Sequence, residues 1–394
     1  MKNKQILALA LAGVMTSTAF AQEAPAVGDI LDSINMFTPE EGAPAYKVKA
    51  NEKYGTQWAV DMAYGYWHSS NAARGYNNNA NMVLIHAQLN QRLIDDSVNG
   101  GTWLRVEFSG SWGLDRESAQ SDTMITDAFG GATYPHADVF GPHDGVLPEV
   151  ALMHYFASKR ACIIAGMVNL TNYFDAVGIA NDSFASFTND GFINSSVLAL
   201  PDANAGAVLQ VELSRRSYAM IGISRETTSY GHNPFSGSGS SYMVVGEYGR
   251  SILNGAAIIR INPFFRQIEE ENTNHSNFGL AASIEYTICD NLTIYARSGF
   301  GAHQEYGNAF DFSCGANINL IPSRENDFLG VALGVFKGCA PAANNREFVA
   351  EAMYSFQVND YFKIVPHIQY IANPAYDAGN SDAVLMGVQG VLSF

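Results

Sequence analysis

The sequence predicts an all-β fold, a transmembrane antiparallel β-barrel of about sixteen strands with short periplasmic turns and long extracellular loops. Three observations lead to this prediction. Apolar residues alternate with polar or small ones over runs of about ten residues. The joints between these runs are short and long in turn. The segment 382–394 alternates in the same way and finishes on the aromatic Phe394, which is typical of the closing strand of such a barrel.

The first 21 residues have the features of a secretory signal peptide. Lys2 and Lys4 provide a positive start, the stretch 6–14 is apolar, and Ala19 and Ala21 form a small-x-small cleavage pattern. The apolar stretch is too short to cross a bilayer as a helix, which takes about 20 residues. We therefore expect an exported chain. Its predicted parts are a signal peptide at 1–21, a periplasmic segment at 22–55 that is coil apart from a short helix near 27–37, and a barrel domain at 56–394.

The composition excludes nucleic-acid binding and argues against a disulfide scaffold and a cysteine-based metal site. The chain has 38 Asp and Glu against 22 Lys and Arg, a net charge of -16, and nucleic-acid binding needs clustered cations instead. Four cysteines are too few for a disulfide scaffold, and none has His or Cys at metal-ligand spacing. We expect packed thiols, no metal and no cofactor. A pairing of Cys314 with Cys339 is left open.

Period-two alternation is clear in the third predicted strand. Leu104, Val106 and Phe108 alternate there with Arg105 and Glu107. The sixteen predicted strands lie near 56–67, 80–93, 101–114, 148–158, 160–170, 205–214, 216–225, 240–249, 254–265, 276–288, 291–301, 308–320, 327–337, 345–357, 361–372 and 382–394.

The joints decide between a barrel and a soluble sandwich, because both can alternate. Joints that follow even-numbered strands are short, as at 158–159 and 359–360. Joints that follow odd-numbered strands are mostly longer, namely 115–147, 171–204, 226–239, 266–275 and 373–381. Short turns on one rim and long loops on the other are typical of an outer-membrane barrel.

About sixteen strands enclose an aqueous channel rather than a packed interior, so the polar faces line a lumen. Placing a charged side chain on the lipid face in the middle of the membrane costs a few kcal/mol. This cost also indicates that the charged residues of the strands face the lumen. Amides and charges of both signs suit sugar hydroxyls, and aromatic rings suit sugar faces. The inward polar set is Asp61, His86, Gln88, Arg105, Glu107, Gln210, Glu212, Arg260, Asn262, Glu285, Arg297, Glu347, Glu351, His367 and Gln369.

From these faces and the loops we select candidates for contact with a permeating solute. The pore-lining candidates are Arg105, Glu107, Arg260, Arg297, Glu351, Gln369, Trp67 and Asp175. The alternative for the charged ones is a charge ladder that holds the barrel wall. Parity places Trp67 and Trp103 on the polar face, but the simpler interpretation is an interface aromatic shifted by a bulge.

The joints 115–147 and 171–204 are too long for plain connectors, so we expect one or both to fold into the pore and narrow it. The second carries amides, acids and aromatics that would set size and selectivity at the tightest point. The alternative is an external lid. Which loop forms the constriction is left open.

Two stretches resemble the carbohydrate-selective (OprB-like) porins of the outer membrane. One is 161–210, with Ala165-Gly166-Met167, Asn172-Tyr173-Phe174-Asp175, Phe184-Ala185-Ser186-Phe187 and Gly206-Ala207-Val208-Leu209. The other includes Glu347, Glu351, Tyr354 and the motif Pro366-x-x-Gln369-Tyr370-x-x-Asn373-Pro374. The likeness covers roughly 55–394 and departs at His367, where that family leads us to expect an acid.

The resemblance implies a sixteen-stranded outer-membrane barrel through which small sugars diffuse passively. A general diffusion porin without sugar preference is the main alternative. An outer-membrane enzyme is a weaker one, since no Gly-x-Ser-x-Gly elbow is present and the histidines are scattered. A plugged adhesive barrel is a third. Sugars and membrane lipid are the expected partners; a homotrimer, the particular sugar and the ion preference are left open.

Overall fold

A computed structural model describes residues 31, 35, 45–71, 78–114, 131–137, 143–201, 203–226, 241–270, 273–302, 308–338, 346–375 and 382–394. The predicted signal peptide at 1–21 lies outside these residues, and so does most of the predicted helix at 27–37. Of that helix only Leu31 and Asn35 are described, both helical and buried. Cys162, Cys289 and Cys314 carry free thiols, and Cys339 lies outside the described residues.

The strands form one closed antiparallel barrel in which each strand pairs with the next and the first pairs with the sixteenth. The fold class predicted from the sequence is therefore confirmed. The strands are β1 Thr56–Ser69, β2 Asn79–Ile94, β3 Thr102–Gly113, β4 His143–Phe156, β5 Ala161–Val168, β6 Asn204–Ser214, β7 Ser217–Arg225, β8 Tyr242–Ile252, β9 Ala257–Glu270, β10 Thr273–Cys289, β11 Leu292–Gly301, β12 Phe310–Ile318, β13 Phe328–Lys337, β14 Glu347–Asn359, β15 Phe362–Ala372 and β16 Ala383–Ser393.

The seam between β1 and β16 closes the barrel. Asp61 pairs with Ser393, and the pairing runs on without a shift to Ser69 and Leu385. Val60 and Phe394 exchange backbone hydrogen bonds of 3.0 and 2.9 Å at its periplasmic end. The Phe394 ring stacks on Tyr361 with 6.0 Å between centroids, so this aromatic residue lies on the rim where the sequence predicts a girdle.

The joints follow the predicted parity with two exceptions. The joint after β12, residues 319–327, is as long as the joint after β13, residues 338–346, although it follows an even-numbered strand. The joint between β9 and β10 is not the predicted loop 266–275, because the two strands pair as far as Thr273 and Glu270. That prediction is wrong because alternation continues through the segment, with Phe264, Arg266 and Ile268 buried inside. In a similar way β4 begins at His143, where it pairs with Trp112 of β3, rather than at 148.

The two faces of each strand differ as predicted. In β3 the side chains of Arg105, Glu107 and Ser109 are buried inside the barrel, and Leu104, Val106 and Phe108 face outward. Inward residues are buried because other parts of the chain fill much of the lumen. The apolar outer row is the surface that contacts lipid.

A helix that the sequence analysis does not predict, α1 (Ala45–Tyr54), precedes β1. The expectation of coil in this segment is wrong. The helix has no buried residue and no apolar periodicity, so the pattern gave no signal. It lies against the periplasmic rim, where Tyr46 stacks on Trp58 at 6.0 Å and Lys47 Nζ lies 4.4 Å from the Trp58 ring centroid. Among the described residues, no helix has the length and apolarity needed to cross a membrane.

Candidate functional site: a constricted lumen

The joint between β5 and β6, residues 169–203, folds into the barrel, and we call it the constriction loop. Its local turns are capped by its own side chains: Asn169 accepts from Thr171 N and so caps a 3-10 helix, Leu170–Asn172. Asn189 accepts from Gly191 N and caps the short helix α2 (Asp190–Ile193). These caps satisfy backbone groups that would otherwise be buried without partners.

Aromatic rings of the constriction loop pack against the inner wall. Phe192 lies between Phe187, at 5.7 Å between centroids, and Phe336 of β13, at 6.3 Å. All three rings are fully buried. A Cβ at Gly191 would lie 2.5 Å from the Phe336 ring, so the loop needs glycine there to approach the wall. The hydrophobic core of this barrel therefore lies between the loop and the wall.

Wall carboxylates accept hydrogen bonds from backbone N–H groups of the constriction loop. Asp175 N donates to Glu247 Oε2 at 2.7 Å, and Gly178 N donates to Glu285 Oε2 at 2.9 Å. Thr188 N and Asn189 N donate to the two oxygens of Glu351 at 3.0 and 3.1 Å. Further along, Val197 N donates to Asp311 Oδ2 at 3.1 Å. Four inward acids of the wall therefore hold the backbone of this loop.

Arginines of the wall donate hydrogen bonds to carbonyl groups of the constriction loop, which the wall carboxylates cannot do because they only accept. Arg297 donates to the carbonyl oxygens of Phe192 at 2.8 Å and Ile193 at 3.0 Å. Its Nε lies 2.8 Å from Asp175 Oδ2, and both side chains are fully buried. Arg266 donates to the carbonyl oxygens of Leu198, at 3.0 Å, and Ala199. The wall thus binds donors and acceptors of the loop backbone with opposite charges.

A third group of contacts holds the start of the loop. Asn172 Nδ2 donates to Glu107 Oε2 at 2.5 Å and to Glu149 Oε2 at 2.9 Å. Glu149 also accepts from the Tyr173 hydroxyl and pairs with Arg105 Nε at 3.4 Å. The Arg105 guanidinium lies 5.6 Å from the Tyr173 ring centroid. Arg105 thus neutralises Glu149, while Glu107 is held by Asn172 and His86.

Part of the other long joint, residues 131–137, also enters the lumen, and we call it the second inner segment. Ala132 N and Thr133 Oγ1 donate to the two oxygens of Glu347 at 2.7 and 2.8 Å. Gln369 Nε2 donates to Pro135 O at 2.9 Å and to Thr188 Oγ1 at 2.7 Å. Both long joints therefore narrow the lumen, and one glutamine binds both.

All eight pore-lining candidates lie on the lumen side, but the structure does not gather them into one patch. Arg260 pairs with Glu285 at 3.6 Å, and Trp67 lies 5.4 Å from the His367 ring and 5.9 Å from the His136 ring between centroids. Contact of any candidate with a permeating solute stays a prediction. Each is buried: Arg105, Glu107, Arg260, Arg297, Glu351, Gln369, Trp67 and Asp175.

Two details of the sequence analysis need correction or addition. Trp67 and Trp103 are buried on the inner face, and Trp67 is in continuous register with Ala80, so the interpretation as shifted interface aromatics is wrong. Sequence reasoning missed Glu149 and Glu247, although their parity within strands could have identified them as inward acids, and it placed Asp311 on the polar face of its strand without selecting it. What could not be foreseen is that they bind a loop.

Inward side chains that remain partly exposed outline the open part of the lumen. Asp61 interacts electrostatically with Asp182, an exposed acid of the constriction loop, and with His86 and Lys363. His86 Nε2 lies 3.0 Å from Glu107 Oε1, and its ring stacks on Phe184 at 6.2 Å. The open surface therefore combines both signs of charge with the His86 ring, against which the buried Phe184 ring stacks.

The contact between the two inner segments should depend on pH. Tyr134 N donates to Asp190 Oδ1 at 2.7 Å, and burial raises the pKa of Asp190 to about 7, above its ordinary value of 3.8. The docked state therefore binds the proton more tightly than the undocked state. Docking should be strongest below pH 3.8 and weaken as the pH rises to about 7, with no further change above.

We expect single-channel conductance to rise between pH 5 and 8 as this contact loosens, and to rise less in Asp190→Asn, which cannot titrate. Bilayer recordings of both proteins over that range measure the difference. Identical pH profiles would contradict this role for Asp190.

A closed sixteen-stranded antiparallel barrel with loops folded into its lumen defines an outer-membrane porin. The model of the carbohydrate-selective porin family, OprB, matches residues 260–394, from within β9 to Phe394. This match confirms the family resemblance, and it includes the Pro366-to-Pro374 motif. The other stretch that carries the resemblance, 161–210, lies outside the matched residues.

Three solved structures share this fold, and they include an outer membrane channel and an anion-selective porin. Pseudomonas putida OprB in its high-pH structure has a TM-score of 0.73 at 12% identity, covering 89% of this chain and 96% of that chain. DcaP of Acinetobacter baumannii has a TM-score of 0.55 at 8% identity, covering 86% and 97%. An anion-selective porin from Comamonas acidovorans has a TM-score of 0.54 at 9% identity, covering 86% of this chain and 99% of that chain. At these identities the likeness establishes the fold alone.

Two uncharacterised proteins are similar over parts of the sequence. One, from Aquifex aeolicus, is 34% identical over 64 residues, which is 16% of this chain and 21% of that protein. The other, from Nostoc, is 22% identical over 228 residues, which is 55% of this chain and 35% of that protein. The chain thus matches only about a fifth and about a third of these relatives' own lengths.

Proposed function

We propose that this protein is an outer-membrane channel for passive diffusion of small carbohydrates. The observation that carries the proposal is the constriction loop, held in the lumen by buried acids and arginines of the wall. A loop fixed in this way gives a narrow passage of constant shape, which can select solutes by size and hydrogen bonding. The match to the carbohydrate-selective porin family supports sugars as the solutes.

The chemistry of the open lumen surface fits an uncharged polyol. Gln88, His86 and Asp61 offer donors and acceptors along neighbouring strands, and the partly exposed His86 ring, stacked on the buried Phe184 ring, offers an aromatic surface. Such groups bind sugar hydroxyls and ring faces weakly, as a channel requires for rapid release. The eight buried candidates would then act indirectly, by fixing the loop that presents this surface.

The charge arrangement favours neutral solutes over ions. Glu149, Glu285 and Asp175 are paired with arginines. Other acids, on the wall, accept from loop N–H groups, whose dipoles reduce the field of these carboxylates in the passage without cancelling their charge. We therefore expect only a weak cation preference despite the net charge of -16. This separates the proposal from a general diffusion porin. Fold and family also favour a channel over an enzyme, and the assembly of three copies remains a proposal.

Sugar permeation tests the proposed function. Proteoliposomes holding the purified protein should swell in isotonic mono- and disaccharide at rates that fall steeply with sugar size. In a planar bilayer, millimolar sugar should reduce the ion current reversibly. Swelling rates that follow diffusion coefficients alone, with no current block, would support the general porin instead. Absence of conductance from folded protein would favour a plugged barrel.

A further inference from the structure

Three neighbouring periplasmic turns bring five cations together on the outside of the rim. Glu212 N donates to Arg160 O at 2.8 Å, and Ser251 N donates to Arg216 O at 2.8 Å, so the ends of β5 to β8 are fixed side by side. We call the exposed cations on these ends the basic rim patch: Lys159, Arg160, Arg215, Arg216 and Arg250. Five cations within one patch are unexpected in a chain with a net charge of -16.

Few acids oppose these charges. Arg160 Nε lies 3.9 Å from Glu212 Oε2, and the Arg160 side chain is 55% exposed, so that pair is loose. Within the described part of the chain, Arg160 with Glu212 is the ion pair in which a cation of the basic rim patch takes part. An exposed ion pair of this kind contributes little to the stability of the fold. With one acid against five cations, the patch keeps a strongly positive net charge.

The patch borders the lipid-facing surface rather than the lumen. Arg250 lies on the outward row of β8, between Tyr248 and Ile252, while Gly249 and Ser251 are buried on the inner side. Leu213 of β6 and Leu253, next in sequence after β8, are 51% and 61% exposed. A tyrosine followed by an arginine on the outer row is typical of the level of lipid headgroups.

We propose that the basic rim patch binds the phosphate of an anionic glycerophospholipid in the periplasmic leaflet. The guanidinium groups of Arg216 and Arg250 bind the phosphate oxygens, and they are neighbours because Arg216 directly precedes Ser217 of β7, which pairs with Arg250 of β8. The acyl chains lie on the outer row that includes Leu213 and Tyr248. A peptidoglycan strand also carries anions but has no apolar part for these exposed side chains, so the surface favours lipid.

Native mass spectrometry of the full-length protein in detergent tests the proposal, with phosphatidylglycerol as probe and phosphatidylcholine as the zwitterionic comparison. We expect phosphatidylglycerol to bind more tightly. The variant Arg216→Gln/Arg250→Gln should bind it about thirtyfold more weakly, since each of the two cations near a lipid surface contributes about 1 kcal/mol. The matched control Lys337→Gln/Arg346→Gln removes the same charge from the opposite rim and should bind as the wild type does.

Conductance of both variants should equal that of the wild type, which verifies folding and keeps this test separate from the proposed function. Equal affinity in Arg216→Gln/Arg250→Gln and wild type would overturn the proposal. So would equal loss in the matched control, or equal binding of the two lipids. Binding of soluble peptidoglycan fragments that is lost in Arg216→Gln/Arg250→Gln, without any loss of phosphatidylglycerol binding, would reassign the patch to the cell wall.

Discussion

Arg297→Met is expected to release the constriction loop and give a channel with higher conductance and a larger size limit for sugars. The substitution removes donors to three loop carbonyls, those of Asp175, Phe192 and Ile193, and leaves the Asp175 carboxylate buried without its cation. Removing one partner of a buried ion pair costs about 3–5 kcal/mol. We expect the hydrogen bonds that Asp175 keeps in the variant to offset only part of this cost. Single-channel recording and liposome swelling with sugars of increasing size measure both effects.

Two comparisons identify the cause. Arg324→Met removes an arginine from another ion pair, with Asp327 in a periplasmic turn outside the lumen, and should leave conductance unchanged. The double variant Arg297→Met/Asp175→Asn removes both buried charges and should recover part of the wild-type size limit, because no unpaired carboxylate is left. An unaltered size limit in Arg297→Met would show that the loop does not depend on this residue.

Glu347→Ala is expected to detach the second inner segment while the constriction loop stays in place. Glu347 accepts from Ala132 N, Thr133 Oγ1 and Ala375 N, the last at 3.1 Å, and alanine leaves all three donors without this acceptor. Hydrogen bonds to a charged group contribute about 1.5–3 kcal/mol each. Conductance should rise, but less than in Arg297→Met, because the constriction loop and its aromatic packing persist.

The ratio of the two effects indicates which segment sets the sugar size limit, a question that the sequence leaves open. Glu325→Ala, an exposed acid in the turn between β12 and β13, is the matched control and should conduct as the wild type does. If Glu347→Ala enlarged the size limit more than Arg297→Met, the second inner segment would be the narrower element, contrary to our expectation.

The barrel could be predicted from the sequence because its rules are local. Alternation and turn residues identify each strand within about ten residues, and pairing between neighbours then follows from chain order. Prediction failed where local signals mislead: β9 and β10 extend through a predicted loop, and α1 has no apolar face. The loop contacts were out of reach for another reason, since Arg297 and Asp175 are 122 residues apart and several inward acids were equally good partners.

The seam at Val60 and Phe394 has a consequence for biogenesis. Because β1 pairs with β16, the barrel cannot close until β16 has arrived, and any shorter intermediate exposes two unpaired strand edges. Such an edge is a site for aggregation or for capture by a folding factor that offers a complementary edge. Only a chain in which β16 is present and paired with β1 can therefore form a closed barrel without unpaired strand edges.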